Sequence, residues 1–461
     1  MTIDQRLRKT SFSRRAMLKG AGATAGALAV GSMLKSPITS LLNPPVAKAA
    51  TFWKGADISW AQQMAANGYY WKNSSGVGAA SGSTANQQIT YLLNILKGYG
   101  VNAIRLRTWV NPSTSPTNGN CDQAQTIAMA VLCQSAGLPV DIDFHFGDTW
   151  NSVGVQNPPA AWASLTYSEM ETALGSYVNG FMTAMKAAGV TPGWVQLGNE
   201  TNSGICLPTG GLNNPSQMTG LLMAGYNNLK DVFPSVPAII HLAQPQDSGI
   251  EPFYNAYVQY GGKWEISGFS SYGSGTEVAP IVADMLNYGK MYSHPVMQVE
   301  FGGPENNPSG TESSLEGYIN GLNSGGGLGV FYWEPEVYAP FDTYSEGAWQ
   351  TNGEPTTALE GFGGSGGSCT PTAITPYISI NGGLAWTEES SATVTSTSAA
   401  VDLVPQPASG GSWSWTGPNG YTSTSRQINS IPLTVGTNTY VATYTNTSGC
   451  KSTQTFTITV T

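Results

Sequence analysis

Between residues 51 and 362 the chain repeats one pattern eight times. A short apolar run is followed by a longer segment whose apolar side chains recur at helical spacing. The runs are 55–58, 103–106, 140–144, 194–197, 238–242, 266–270, 296–299 and 329–332. Between them, 86–97 puts Ile89, Leu92, Leu93 and Leu96 on one helical face, and 122–135 and 169–188 behave alike. Gly98, Gly137 and Gly189 follow these segments, where a helix end favours a left-handed residue. Eight strand–helix alternations in about 310 residues predict an α/β fold, the (β/α)8 TIM barrel. The competing doubly wound sheet needs a phosphate-binding Gly-rich turn after its first strand, and Gly-Ala-Asp-Ile-Ser at 55–59 offers none.

The barrel accounts for residues 50–362, and the flanks read differently. Ser-Arg-Arg-Ala-Met-Leu-Lys at 13–19 is a twin-arginine pattern, followed by a small apolar run and an Ala-Lys-Ala cleavage site at 47–49. Residues 1–49 are therefore expected to be a twin-arginine signal peptide, with the remainder periplasmic or extracellular. The alternative, an uncleaved anchor, meets a run that is short and Gly/Ala-rich for a bilayer. The whole chain carries a net charge of −9; residues 1–49 hold eight Lys/Arg and one Asp, so the remainder carries −16 (−9 less +7). That acidity argues against nucleic acid and, after cleavage, against anionic membranes as partners. Only 10% of the residues are charged, which suits a surface that meets neutral sugars. Gly and Ser at 363–368 form a flexible linker. Beyond it, 369–461 is rich in Ser, Thr, Val and Tyr in short alternating runs, the signature of a small all-β immunoglobulin-like sandwich. Its Trp413 and Trp415 have two readings, a glycan-binding face or the sandwich core, and the core is favoured because alternate residues on a strand share a face.

On a barrel, chemistry collects at the C-terminal strand ends. The fourth strand ends at Asn199 and Glu200, the seventh at Glu300. Two carboxylates facing one cleft are what acid–base and nucleophilic cleavage of a glycosidic bond requires. Around them the other strand ends supply Arg105, Arg107 and Trp109, then Asp143, His145, Asp148 and Trp150, then Tyr272, and finally Trp333 and Glu334. Arg105, His145, Asn199, Trp109, Asp148, Trp150, Tyr272 and Trp333 are the candidate substrate-binding residues, with Trp rings available to stack on pyranose faces. Bland readings stand beside these. Arg105 can be an ion pair inside the barrel, His145 a satisfied core histidine, and Asp143 an orienting group.

Four ordered motifs carry a resemblance. They are Lys-Gly-Ala-Asp-Ile-Ser at 54–59, Arg-Leu-Arg-Thr-Trp-Val-Asn-Pro at 105–112, Asp-Phe-His-Phe-Gly-Asp-Thr-Trp at 143–150 and Gly-Asn-Glu-Thr-Asn at 198–202. The chain resembles glycoside hydrolase family 53, the arabinogalactan endo-β-1,4-galactanases of the clan A barrels. The resemblance implies a retaining enzyme with Glu200 as acid/base and Glu300 as nucleophile. It implies that Arg105, His145, Asn199 and Trp333 line the reacting-sugar subsite, and that the partner is a polysaccharide, β-1,4-galactan in pectic side chains. Two stretches depart from it. Ser-Ser-Tyr-Gly-Ser-Gly at 270–275 stands where the family carries an aromatic run, and Phe-Gly-Gly-Pro follows Glu300. A sugar-stacking platform is thus missing there, or is supplied by Trp349 or Tyr338. The alternatives to a galactanase are a clan A glycanase for another β-linked polysaccharide and a non-catalytic glycan-binding protein. The intact glutamate pair opposes the latter.

No cofactor is expected, and no metal: there are three His and no zinc-spaced cluster. Asp342, Glu346 and Glu354 after the eighth strand are too sparse for a calcium loop. The five Cys allow a bridge between Cys369 and Cys450, with Cys121–Cys133 a second candidate and one thiol left over. The expected assembly is a monomer.

Overall fold

The computed structural model describes residues 51–112, 119–341, 344–364, 372–409, 411–446 and 451–461. The leader, linker residues 365–368, Asp342, Cys369 and Cys450 lie outside the described residues.

Eight parallel strands close into a barrel: β1 (Trp53–Asp57), β2 (Ala103–Thr108), β3 (Val140–Phe144), β4 (Trp194–Leu197), β5 (Ala238–Ala243), β6 (Ile266–Ser270), β7 (Val296–Phe301) and β8 (Gly329–Trp333), each beside its sequence neighbour and β1 beside β8. Every expected run is a strand, and β7 continues two residues further, so Glu300 sits inside the strand rather than beyond it. A short first helix, α1 (Ala61–Ala66), precedes the outer ring of α2 (Ala85–Gly98), α3 (Gln123–Ser135), α4 (Tyr167–Ala187), α5 (Pro215–Val232), α6 (Ile250–Gln259), α7 (Val278–Tyr292) and α8 (Pro308–Gly325). After β8 the ring is closed by a 3₁₀ segment, Thr357–Phe362. Among these described helices none is long and apolar enough to cross a membrane.

Local chemistry explains the helix ends. Thr84, Asp122 and Thr166 each accept from the backbone three residues on, and Gln87, Gln125 and Glu169 reach back, three reciprocal caps. Ile89, Leu92, Leu93 and Leu96 are buried on α2 as the spacing predicts. Gly137 and Gly189 take the left-handed conformation at φ 77° and 76°. Gly98 does not: it is the last residue of α2, and Gly100 at φ 100° makes the turn, because the helix runs one residue further before it frays.

The lower barrel interior is a plug of Ala103, Trp194, Ile239, Ile266, Met297, Val299 and Phe331. Gly55 lies opposite Phe331 in register, and a methyl group there would overlap the Phe331 ring. Above the plug the inward residues turn polar.

Cys121, Cys133 and Cys206 are free, buried thiols. The Cys121–Cys133 pairing is thus corrected. Cys121 points at the Ser59 carbonyl, 3.6 Å away, while Cys133 sits on the inward face of α3.

The C-terminal segment is all-β among its described residues. Two short strands, β9 (Ile378–Ser379) and β11 (Asp402–Leu403), pair antiparallel. A five-stranded sheet has the order β10 (Ser391–Val394), β15 (Lys451–Val460), β14 (Gly436–Asn446), β12 (Gly411–Thr416), β13 (Thr422–Ser423). On β12, Trp413 and Trp415 are buried and alternate with exposed Ser412, Ser414 and Thr416, so both tryptophans fill the core.

Replacing Gly55 by Ala should lower stability by about 1–3 kcal/mol through overpacking in the plug, read as a lower urea midpoint with the slope unchanged. An unchanged midpoint would mean that the plug relaxes around the added methyl.

Candidate active site

The centre of the barrel mouth is Arg105 on β2, fully buried. Its guanidinium reaches Asp57 of β1 at 2.7 Å, Asp143 of β3 at 2.9 Å and Glu300 of β7 at 2.8 Å, and donates to Asn199 Oδ1 at 3.1 Å. Asp141, one turn of the pleat below, is 4.0 Å from Nε. The two β3 carboxylates then diverge. Burial pushes both up, but at Asp143 Arg105 and His145 outweigh it and hold the group down to about 2. At Asp141 burial prevails over the more distant Arg105 and pushes the carboxyl up to about 8.

Glu200 follows β4 in the left-handed region, φ 47° and ψ 54°. Such a backbone costs a non-Gly residue of order 1–3 kcal/mol and persists only where its surroundings fix it. Here they do. The Glu200 N–H donates to His241 Nδ1 at 3.3 Å, its carbonyl accepts from Gln156 at 3.1 Å, and its Oε1 accepts from Ser270 Oγ at 2.6 Å. Phe146, Gln244 and Glu334 also have positive φ, and each follows a strand at the same mouth.

One oxygen of Glu200, one of Glu300 and a ring nitrogen of His241 lie within 4.8 Å of one another. Glu300 receives Arg105 on Oε1 and the Tyr272 hydroxyl on Oε2 at 3.1 Å. Burial raises its carboxyl, against Arg105 and with help from the Glu200 charge, up to about 8. Two carboxyls this close do not both ionise freely, so the pair holds one proton through the neutral range. Among the described residues this is also the one grouping that could hold a metal ion, but the Arg105 guanidinium already occupies Glu300 and opposes a cation there.

The remaining expected residues fall into three sets. Asn199 is buried between Arg105, His241 and the Asn151 carbonyl, to which it donates at 2.9 Å. His145 has both ring nitrogens engaged: Nε2 donates to Asp143 at 2.9 Å and Nδ1 accepts from the Asn151 N–H at 3.3 Å. Trp150 and Trp333 are half-buried and 5.9 Å apart, flanking Trp60. Trp109 is 1% exposed and packs under Trp150, so no face of its ring is open to a sugar in this structure. Asp148 braces its loop, accepting from Asn111 N–H at 3.0 Å and Ala160 N–H at 2.8 Å. Trp349 and Tyr338 are both buried in the barrel's apolar core and line no part of the cleft beside Tyr272.

Arg107 and Glu334, read at two strand ends, form a second buried ion pair. Trp60, Trp109 and Trp150 surround the Arg107 guanidinium at 4.8, 5.1 and 4.5 Å. Burial, against Arg107, raises Glu334 to about 7, while burial and the Glu334 charge keep Glu336 protonated. The β8–β1–β2 side of the mouth is therefore an aromatic wall on an ionic footing. The opposite side, at β5 and β6, is an open polar cleft of ≈ 650 Å³ lined by Ser152, Glu200, Gln244, Asp247, Tyr272 and Glu277 among others.

Sequence reasoning missed His241, Ser270, Gln196, Asn151 and Gln156. For His241 a signal existed: it is a lone titratable residue in an apolar run, on the inward face with Ile239. Burial and Arg105 lower its pKa well below the usual histidine value, so it is neutral and accepts from Glu200. The others carry no distinctive spacing.

Comparison with known proteins gives consistent matches. The profile of glycosyl hydrolase family 53 matches residues 53–360. An arabinogalactan endo-β-1,4-galactanase of Thermothelomyces thermophilus is 30% identical over 272 residues, 53% of this chain and 80% of that protein. A probable arabinogalactan endo-β-1,4-galactanase A of Neosartorya fischeri is 26% identical over 335 residues, 66% of this chain and 90% of its own length. Two solved structures share the barrel at 26% identity. The family 53 catalytic domain of Ignisphaera aggregans has a TM-score of 0.60, covering 69% of this chain and 98% of its own. A fungal β-1,4-galactanase has a TM-score of 0.61, covering 68% and 98%.

The Glu300 carboxyl makes a signed prediction. Its pKa is raised on folding, so the native state binds the extra proton and stability falls as pH rises from about 4.5 to about 8. Glu300→Gln removes this cost. It should be inactive yet melt above the parent, with the gap widening from pH 5 to pH 8 toward several kcal/mol. A gap that does not grow with pH would refute a raised Glu300.

Proposed function

Since the chain belongs to glycosyl hydrolase family 53 and is a glycoside hydrolase, we propose that it is an exported endo-enzyme cleaving internal β-1,4-galactosidic bonds of galactan and type I arabinogalactan with retention. The observation that carries the reading is the Glu200–Glu300 pair, oxygens within 4.8 Å, at the mouth of a closed barrel. An oxygen of each carboxylate within 4.8 Å of the other is compatible with the ~5–5.5 Å carboxyl separation of retaining enzymes. The matched galactanases supply the substrate class.

In the first step the one proton held by the pair sits on Glu200, and Glu300, its anion supported by Arg105 and Tyr272, attacks the anomeric carbon. The bond to the leaving oxygen breaks as Glu200 gives that oxygen its proton. In the second step Glu200, now anionic, takes a proton from water, whose oxygen displaces Glu300 and restores the starting state. Ser270 and the His241-anchored backbone hold Glu200 in place for both transfers. The half-buried Trp150 and Trp333 are suited to stack on sugar rings on the glycone side, and Arg107 fixes the wall behind them. The twin-arginine leader supports export, the chain is proposed to act as a monomer, and the all-β segment is proposed to be an immunoglobulin-like module.

Glu200→Gln should lose most activity on polysaccharide but retain glycosylation by activated aryl galactosides, whose leaving group needs no proton. Burst kinetics on both substrates check this, and equal losses would refute the acid/base role. Nuclear magnetic resonance of the first-formed product should show the β-anomer.

The polar cleft beside Tyr272 carries one aromatic among its lining residues, Tyr272 itself. A stacking platform is worth about 1 kcal/mol, or about five-fold. Without it the enzyme should accept arabinose-substituted galactan within about five-fold of the kcat/KM for debranched galactan. Cleavage confined to debranched chains would show that the open cleft does not relax selectivity.

A further inference from the structure

The C-terminal segment holds a third tryptophan that its core does not use. Trp386 is 36% exposed, Ile380 53% and Leu384 86%, and all three sit on the single loop 379–386. In the core, by contrast, Trp415 is 1% exposed and donates to the Ser425 carbonyl at 2.8 Å. Among the described residues no ring packs on Trp386 and no acceptor receives its indole N–H.

The loop is built rather than slack. Ile378 and Thr387 exchange two backbone hydrogen bonds of 2.9 Å at its base. Ser379 Oγ accepts from the Gly383 N–H at 2.9 Å and donates to Asn381 Oδ1 at 2.8 Å, which also accepts from the Ala385 N–H at 3.1 Å. The Gly382 N–H donates to the Ala400 carbonyl at 2.9 Å. Gly382 and Gly383 have φ 68° and 82°, conformations that favour glycine. A Cβ at Gly383 would lie 3.3 Å from Asp402 Oδ2 and 3.8 Å from Trp386 Cζ2, so the Asp402 carboxylate and the edge of the indole both border this turn. An exposed indole on a loop whose backbone is pinned in advance, with Ile380 and Leu384 exposed on the same loop, offers apolar surface at little entropic cost.

We propose that this loop is a polysaccharide-binding platform, with Trp386 stacking on the apolar face of a pyranose and Leu384 and Ile380 touching neighbouring sugars. The indole N–H donates to a sugar hydroxyl. The loop sequence, Ser-Ile-Asn-Gly-Gly-Leu-Ala-Trp, holds no charge, and the charged groups bordering it, Asp402, Glu388 and Glu389, are acidic, which disfavours an anionic polymer and selects a neutral one. The choice of β-galactan as that polymer rests on the proposed activity of the barrel in the same chain.

The test is affinity electrophoresis through gels containing soluble galactan, using the full chain with Glu300→Gln so that the polymer survives. Saturating galactotetraose fills the catalytic cleft. The expected result is retained retardation that Trp386→Ala weakens about ten-fold, while Trp386→Ala in the active chain leaves hydrolysis of short galacto-oligosaccharides unchanged. Galactan hydrolysis with equal retardation of both proteins sinks the platform and leaves the proposed activity standing. A dimer in sedimentation that Trp386→Ala converts to monomer overturns it in favour of self-association. Trp386-dependent retardation on xylan or mannan alone, with no galactan hydrolysis, overturns both the activity and the galactan platform.

Discussion

One buried guanidinium organises the barrel mouth. Arg105 joins β1, β2, β3 and β7 through Asp57, Asp143 and Glu300. Burying one such cation alone, or any of these carboxylates alone, would cost several kcal/mol. Together they form a network in which each group is justified only by the others. Asp143, in direct contact with Arg105 and His145, is held at about 2, whereas Asp141, 4.0 Å from Arg105 and facing the Asp143 and Asp57 charges, is raised to about 8. One cation cannot neutralise four carboxylates. The excess falls on Asp141 and on Glu300, whose carboxyls are both raised to about 8 at the expense of stability.

The second cation has a different role. Arg107 is two residues along β2 and shares its face, yet it pairs with Glu334 and sits inside three indole rings. It gives the aromatic wall a rigid back. Across the mouth, β5 and β6 contribute a polar, open surface instead. The Glu200–Glu300 pair stands between an apolar, pre-packed side and an open polar one.

Backbone strain has the same distribution. Phe146, Glu200, Gln244 and Glu334 take left-handed conformations within three residues of the ends of β3, β4, β5 and β8. A strand that simply continued would carry its side chains past the mouth, whereas a left-handed residue turns the chain sharply and aims the next residues across it. For Glu200 the cost is met by His241, Gln156 and Ser270, none of which touches the bond to be broken in the proposed mechanism. Precision at the reacting oxygens is thus supplied from strands β5 and β6 and from the loop after β3.

The sequence by itself determined the eight strands, the helical faces and which residues stand at the strand ends. These depend on local period and on neighbours a few positions away. Glu200 after an apolar run and Ile89 on the inward face of α2 are legible for that reason. Only the tertiary structure decided who meets whom. Arg105 could be read as a structural ion pair or as a sugar ligand, and closure of the barrel brings it to three carboxylates and to Asn199, 94 residues away. Trp109 and Trp150 look alike in sequence, but stacking around Arg107 buries one and leaves the other half open. His241 and Ser270 gain their roles solely because the register of β4, β5 and β6 sets them beside Glu200. Strand stagger around a closed barrel is a global constraint, and no local stretch of sequence carries it.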